Sequence, residues 1–521
     1  MSSARVRDLR QSGAVEEVLD IYAPYRSDGV RTDSALRAVI DHAVAVGAKT
    51  VVTEFRYVDA DWRSEYSEFY SKTFRSYPDV AHRLHFFSQP IDLPESDDLA
   101  GSDPDYAAFG YLGYCIVRPL PAAPVGRTLL VPLTDDVPYV SCIATDVVHL
   151  FGQRLTVTGV PMMGQDGQLG VCGHASAWII GYIHTLAYRH PRVLPAAIAK
   201  SAARGHSSQR PVPAARVNVH QLTVALTAMR LPPLVYEIGY LPPMESQDSV
   251  VIRYLDSGLP VMLAGDRHTK VIVGYKPADD GTYRYLVQDD QAGPYQWTAL
   301  PDLHDEDEES AEPPDPLGVD PSTNRRLTYL LIPLPEKVFL SGDEAEVVAK
   351  LHLTATYTDS GSAPVDVATT DAPDNASVAD GAGSDRSSDP VGFPDEAADE
   401  LVGLLADGTA QVRSVLMRSN TLKARAGTRY AGQPQLSALL RYHPMSRFVW
   451  LVQIARSAPA DGAAAVIAEV IVDATEHTLD PHVLAWWTLG EAVVWFPDFD
   501  AESEPLRLAG VEPLPFVTAR A

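Results

Sequence analysis

The run Gln168-Leu-Gly-Val-Cys172-Gly-His-Ala-Ser-Ala-Trp178 continues into Ile179, Tyr182, Ile183 and Leu186. With Ala175 and Trp178, these residues fall at the i, i+3, i+4, i+7 spacing of a buried helix face. Gly167 and Gly170 come just before, so the helix is predicted to begin near Cys172. A thiol at a helix N-terminus faces unpaired backbone N–H groups and the positive end of the helix dipole. Both favour thiolate over thiol, which makes the sulfur a nucleophile. Cys115, between Tyr114 and Ile116 in a predicted strand, and Cys142 read instead as small buried hydrophobes.

A nucleophilic sulfur needs an imidazole beside it. Residues 247–260 read as a helix stopped by Gly258, and 261–265 as a short strand. A second strand begins around His268. The turn Asp279-Asp-Gly281 then leads into 283–290, which ends in Asp289-Asp290. Asp-Gly between two strand patterns is a strong hairpin signal. Antiparallel pairing brings His268, at the start of one strand, to the Asp pair at the end of the other. One carboxylate would then hold one ring nitrogen and leave the second for sulfur. Strand alternation sends Asp289 and Asp290 to opposite faces, so only one of them is expected to serve His268.

Cysteine at the head of a buried helix, then histidine and aspartate on successive strands, resembles the papain-like cysteine peptidases. Residues 258–293, with Gly-Leu-Pro-Val, His268, Gly-Tyr and Asp-Asp-Gln-Ala-Gly, look most like the bacterial double-glycine leader peptidases that process bacteriocins. The resemblance spans about 130 residues. It implies an α+β papain-like core with Cys172 as nucleophile and His268 as general base. Asp289 or Asp290 would orient the ring, and the family's spacing to Gly293 favours Asp289. It implies a peptide or protein substrate, a thiol protease activity, and neither cofactor nor metal. Deamidation or acyl transfer would use the same three residues, and a catalytically inactive scaffold would keep the fold alone. The family places an oxyanion-holding Gln about six residues before the Cys. Here Gln168 stands four before and Gln165 seven before; Gln168 is the expected donor. Gly173, not Trp, follows Cys172, a departure from papain itself.

Other chemistries fit less well. Cys172 and His174 are two residues apart, so on a helix they diverge, and a metal set with His184 is not expected. Gly173-His-Ala-Ser176-Ala lacks the G-x-S-x-G spacing of a serine hydrolase. No phosphate-loop or dinucleotide glycine pattern occurs.

The elements that must position these residues sit in a chain of 521 residues with 42 Lys+Arg against 68 Asp+Glu, net −26. Such a balance argues against binding nucleic acid or an anionic membrane surface. Residues 302–320 hold nine acidic residues and no Lys or Arg, and read as an insertion loop. Residues 354–400 hold eleven acidic residues and one Arg, and read as a disordered linker. These two stretches carry −19, leaving −7 for the rest. The expected organisation is an N-terminal α/β region (1–140), a papain-like domain (141–340), the linker (354–400), and a β-rich C-terminal domain (401–521). In the first region 34–46 reads as a helix, 49–55 as a strand, and the aromatic stripe 62–74 as a helix packing into core. Sparse, odd cysteines, no secretory leader and no membrane span point to the cytoplasm.

Overall fold

The computed structural model describes residues 4–20, 34–91, 105–120, 123–134, 139–206, 216–241, 246–265, 268–299, 328–358, 395–456, 465–476, 482–495 and 505–518. These form a mixed α+β protein with eleven α-helices and three sheets, every strand pair antiparallel. Two compact units meet between Glu336 and Lys337.

The strands of the first unit are β1 (Ala4–Asp8), β2 (Thr50–Tyr57), β3 (Ala81–Phe87), β4 (Tyr111–Val117), β5 (Val125–Leu130), β6 (Val140–Ser141), β7 (Ala144–Leu150), β8 (Gln153–Met162), β9 (Pro233–Glu237), β10 (Val261–Ala264), β11 (Thr269–Pro277), β12 (Tyr283–Asp289), β13 (Gly293–Ala299) and β14 (Tyr329–Pro333). One sheet runs β1-β2-β3-β4-β5-β8-β7. The other runs β13-β12-β11-β10-β14-β9, with β6 beside β11. The helices are α1 (Ala14–Asp20), α2 (Ser34–Ala45), α3 (Ala60–Glu68), α4 (Cys172–Tyr188), α5 (Pro195–Ala202), α6 (Val219–Ala228) and α7 (Gln247–Asp256).

The first sheet does not stop near residue 140. The chain crosses to the second sheet at β6 and returns as the β7–β8 hairpin, where β8 pairs with β5. Buried polar groups then tie the sheets together. The Tyr295 hydroxyl donates to the Leu130 carbonyl (2.6 Å) and accepts the Val160 N–H (2.7 Å). Gln288 donates to the Val160 carbonyl (3.2 Å) and accepts the Tyr295 N–H (3.1 Å). All four groups are buried, where an unmade hydrogen bond would cost about 1–3 kcal/mol.

Helix α4 packs against β7 and β8 of the first sheet and β10 and β11 of the second. A helix covered on both sides must be apolar nearly all round, and every residue from 173 to 184 is buried. Of the aromatic stripe, Trp62 and Tyr70 enter the core and Tyr66 and Phe69 pack against it. The helix ends at Glu68, and a tight turn at Tyr70–Lys72 leaves Phe74 exposed. Gly258, with φ of 70°, follows the end of α7, and Gly281, with φ of 82°, forms the turn between β11 and β12.

The second unit holds α8 (Gly342–Thr358), α9 (Asp395–Ala406), β15 (Gln411–Arg418), α10 (Ser419–Arg429), α11 (Pro434–Tyr442), β16 (Phe448–Ala455), β17 (Val466–Asp473), β18 (Val483–Thr488), β19 (Glu491–Val494) and β20 (Leu506–Ala509). Its sheet runs β15 to β20 in chain order. Leu422, Ala426, Leu436 and Leu440 of α10 and α11 pack with Val449 and Leu451. The intervening Trp450 donates from its indole to the Leu340 carbonyl (2.9 Å). Alternate residues of β16 are thus covered on opposite faces, so the whole strand is buried and, apart from Gln453, apolar.

Helix reaches into both ends of the stretch expected to be disordered. Residues 354–358 close α8, where the Tyr357 hydroxyl donates to Glu491 (2.8 Å) and holds the last turn. Residues 395–400 open α9. Residues 359–394 and the acidic loop 302–320 lie outside the described residues.

One fully buried carboxylate, Glu469, gathers the polar groups of this core. It accepts from Tyr430 (2.9 Å), the Trp487 indole (2.6 Å) and the Arg429 guanidinium. Removing it strands a buried cation and two donors. Glu469→Ala is expected to lower stability by about 3–5 kcal/mol in urea unfolding monitored by Trp fluorescence; a loss below about 1 kcal/mol would show that the network is not closed in solution.

Candidate functional site

The loop before Cys172 is held by side chains far away in sequence. The Asp166 carboxylate accepts the N–H groups of Gln168 (3.4 Å), Leu169 (3.1 Å) and Gly170, and the hydroxyl of Tyr70 (2.7 Å). Arg118, buried and paired with Glu65 (2.9 Å), donates to the carbonyls of Gly164 (2.9 Å) and Gln165 (3.3 Å). Burial opposes the Glu65 charge and pushes its pKa up to about 8 against the pull of Arg118. A second set of buried charges fixes the body of α4. Asp61 accepts the Trp178 indole (3.2 Å) and Arg192 (2.5 Å), and Arg127 donates to Tyr182 (3.1 Å) and Asp59 (2.8 Å).

The chain then enters α4 at Cys172, with Val171 extended (φ −110°). The Val171 N–H is capped from within the helix: His174 Nδ1 accepts it at 3.2 Å. Burial lowers the His174 pKa to about 4, so the ring stays neutral and keeps the lone pair that the N–H needs. Cys172 is half-buried, whereas Cys115 and Cys142 are fully buried; all three are free thiols. Burial pushes the Cys115 thiol up to about 12.

One turn past Cys172, the Ser176 hydroxyl donates to the Thr269 carbonyl (3.2 Å). Thr269 follows His268 directly, so this bond fixes the start of β11 against the head of α4. The pairing Val271↔Gln288 brings the end of β12 to the same place. His268 Nε2 lies 3.2 Å from Asp289 Oδ1 and 3.8 Å from Asp290 Oδ1. Both acids face one nitrogen because β12 ends at Asp289 and Asp290 lies in the following turn, where strand alternation no longer applies. Asp289 Oδ1 also accepts the N–H groups of Gln291 (2.9 Å) and Ala292 (3.3 Å), and Oδ2 faces Lys270 (3.6 Å). His268 Nδ1 has no hydrogen-bond partner of normal geometry, yet the Cys172 thiol interacts with this ring. The geometry leaves Nδ1 as the nitrogen for sulfur.

Burial disfavours a charge on His268, but the hydrogen bonds to Asp289 and Cys172 and the charges of both aspartates outweigh it and raise its pKa to about 10. Asp289 falls to about 2: burial opposes its charge, and the bond and charge of His268 prevail. Asp290 rises to about 7 through burial and the repulsion of Asp289, against the pull of His268. The Gln165 N–H faces Asp290, but neither carboxyl oxygen has a hydrogen bond of normal geometry.

The structure thus brings Cys172, His268, Asp289 and Asp290 together. Gln165, half-buried, lies beside Asp290, whereas Gln168 is exposed. Cys172, His174 and His184 do not converge as a metal set; among the described residues, the group with converging ligand atoms is His268, Asp289 and Asp290. The sequence reading missed Lys270, Asp166, Arg118 and the capping role of His174. Lys270 had a signal, since it lies across the predicted hairpin from Asp289; Arg118 had none. No protein-family model and no curated protein matches the chain.

Two outcomes follow. Asp166→Ala frees four donors and is expected to cost about 2–4 kcal/mol in urea unfolding; an unchanged midpoint would contradict its role. The His268–Asp289 pair also makes stability pH-dependent. The His268 contribution is complete below its ordinary value of 6.5 and fades as pH rises toward about 10. That of Asp289 is complete above 3.8 and fades as pH falls toward about 2. The stability lost in Asp289→Asn should therefore peak between about pH 4 and 6.5; a loss that grows steadily to pH 9 would contradict the pairing.

Proposed function

We propose that the first unit carries a papain-like thiol hydrolase that cleaves an amide bond, with a peptide as substrate. The observation that carries the reading is the order of contacts: a cysteine opening a buried helix, an imidazole interacting with it, and Asp289 on the ring's far nitrogen. With its charge held by the acids, His268 would already keep the Cys172 proton at Nδ1 as sulfur attacks the carbonyl carbon. The oxyanion would be held by the Cys172 backbone N–H and by Gln165, favoured over Gln168 because it is half-buried beside the acid pair. His268 would then protonate the leaving amine, and water would hydrolyse the thioester with the same ring as base. Asp289 orients the ring and balances its charge.

Among the described residues, no helix is long and apolar enough to cross a membrane. We place the protein in the reducing cytoplasm, where free thiols persist, with a protein or peptide substrate and no nucleic-acid partner.

One observation favours an inactive scaffold as the second reading. The two aspartates hold the His268 charge whether or not sulfur is ionised, and a ring that keeps its proton is a poor base.

Alkylation rates separate the two. Iodoacetamide at pH 7 should label Cys172 at least tenfold faster than Cys115 and Cys142, read by peptide mass spectrometry. His268→Ala should remove most of that advantage. Equal labelling of the three cysteines, or no effect of His268→Ala, would sink the hydrolase reading.

A further inference from the structure

The far side of the His268 ring holds an arrangement that the proposed hydrolysis does not use. Amide cleavage needs one carboxylate on Nε2, and Asp289 supplies it (3.2 Å). Asp290 adds a second at 3.8 Å, with its side chain only 2% exposed. A buried carboxylate without a hydrogen-bonded partner is costly to keep, and both Asp290 oxygens are in that position. The potential ligand atoms of His268, Asp289 and Asp290 all lie within 4.8 Å of one another.

We propose that His268 Nε2, Asp289 and Asp290 form a binding site for a zinc ion. Ligands at ~2.1 Å from a tetrahedral Zn²⁺ stand ~3.4 Å apart. The separations from Nε2, 3.2 and 3.8 Å, bracket that distance, and all three ligand atoms lie within 4.8 Å of one another, so the ion enters by drawing the acids together by up to about an ångström. One imidazole nitrogen and two carboxylate oxygens suit zinc, and a water completes the set. The ion displaces the proton on Nε2 and takes the place of the ring charge that Asp290 faces at 3.8 Å without a hydrogen bond of normal geometry. Lys270, 3.6 Å from Asp289 Oδ2, stays on the oxygen turned away from the ring and tempers the affinity. The site is separate from the sulfur, since Cys172 approaches the ring from α4 and Nε2 faces the acids. If the hydrolase reading holds, zinc on Nε2 makes Nδ1 a weaker base and slows Cys172; zinc binding itself does not depend on that reading.

The test is isothermal titration of zinc chloride into the full chain after chelator treatment, in a buffer that does not bind zinc. One site is expected. Cys172→Ala should bind zinc as the unaltered protein does, and Asp290→Asn should bind at least tenfold more weakly. Circular dichroism would establish that Asp290→Asn is folded, and His268→Asn serves as the second ligand variant. No binding to the unaltered protein, unchanged binding in folded Asp290→Asn or His268→Asn, or loss of binding in Cys172→Ala would overturn the proposal. Iodoacetamide labelling of the zinc-free protein tests the hydrolase separately.

Discussion

A charged imidazole can sit in a protein interior only where fixed carboxylates repay the water it has lost. Here the backbone fixes two of them. The β11–β12 register sets Asp289 against the start of β11, and the end of β12 turns Asp290 to the same side. Shift that register by one residue and every side chain changes face, so Asp289 would turn away from the ring. The rest of the site is arranged around this point. Ser176 ties the head of α4 to it, and α4 in turn carries the sulfur.

Apolar burial holds α4 between the sheets, and a set of polar bonds orients it. Asp59, Asp61, Arg127, Tyr182 and Asp146 form a connected network between the first sheet and the helix. Arg118 and Glu65 extend it to the loop before Cys172. Buried ion pairs add little net stability compared with good apolar packing. They are directional, however, and a helix between two sheets could otherwise slide or rotate without losing much apolar contact. The network fixes the helix to within hydrogen-bond geometry.

The sequence made the local elements legible. The helix at Cys172 follows from 3.6-residue periodicity after two glycines, and the hairpin from Asp279-Asp-Gly281, because both depend on neighbours in the chain. The loop before Cys172 was not legible. Its conformation depends on Tyr70, 96 residues before Asp166, and on Arg118, and no local pattern announces either. The choice of Gln168 over Gln165 rests on position in the chain, whereas burial is what distinguishes them. The pairing of both aspartates with one nitrogen was missed for a similar reason: alternation holds inside a strand, and the strand ends between them. The two sheets of the first unit interleave in sequence through β6, a crossover that composition does not reveal. In the second unit no local pattern announced the helices that pack against β16.

The central claim is that two carboxylates hold His268 charged while its other nitrogen serves Cys172. Nitrogen-15 NMR of the His268 ring, recorded from pH 5 to 11, reads this directly. The account predicts a ring protonated through pH 8, titrating near pH 10, with a resonance that shifts in Cys172→Ala and a midpoint that falls in Asp289→Asn. A ring that titrates near 6.5, unmoved by either substitution, would contradict it.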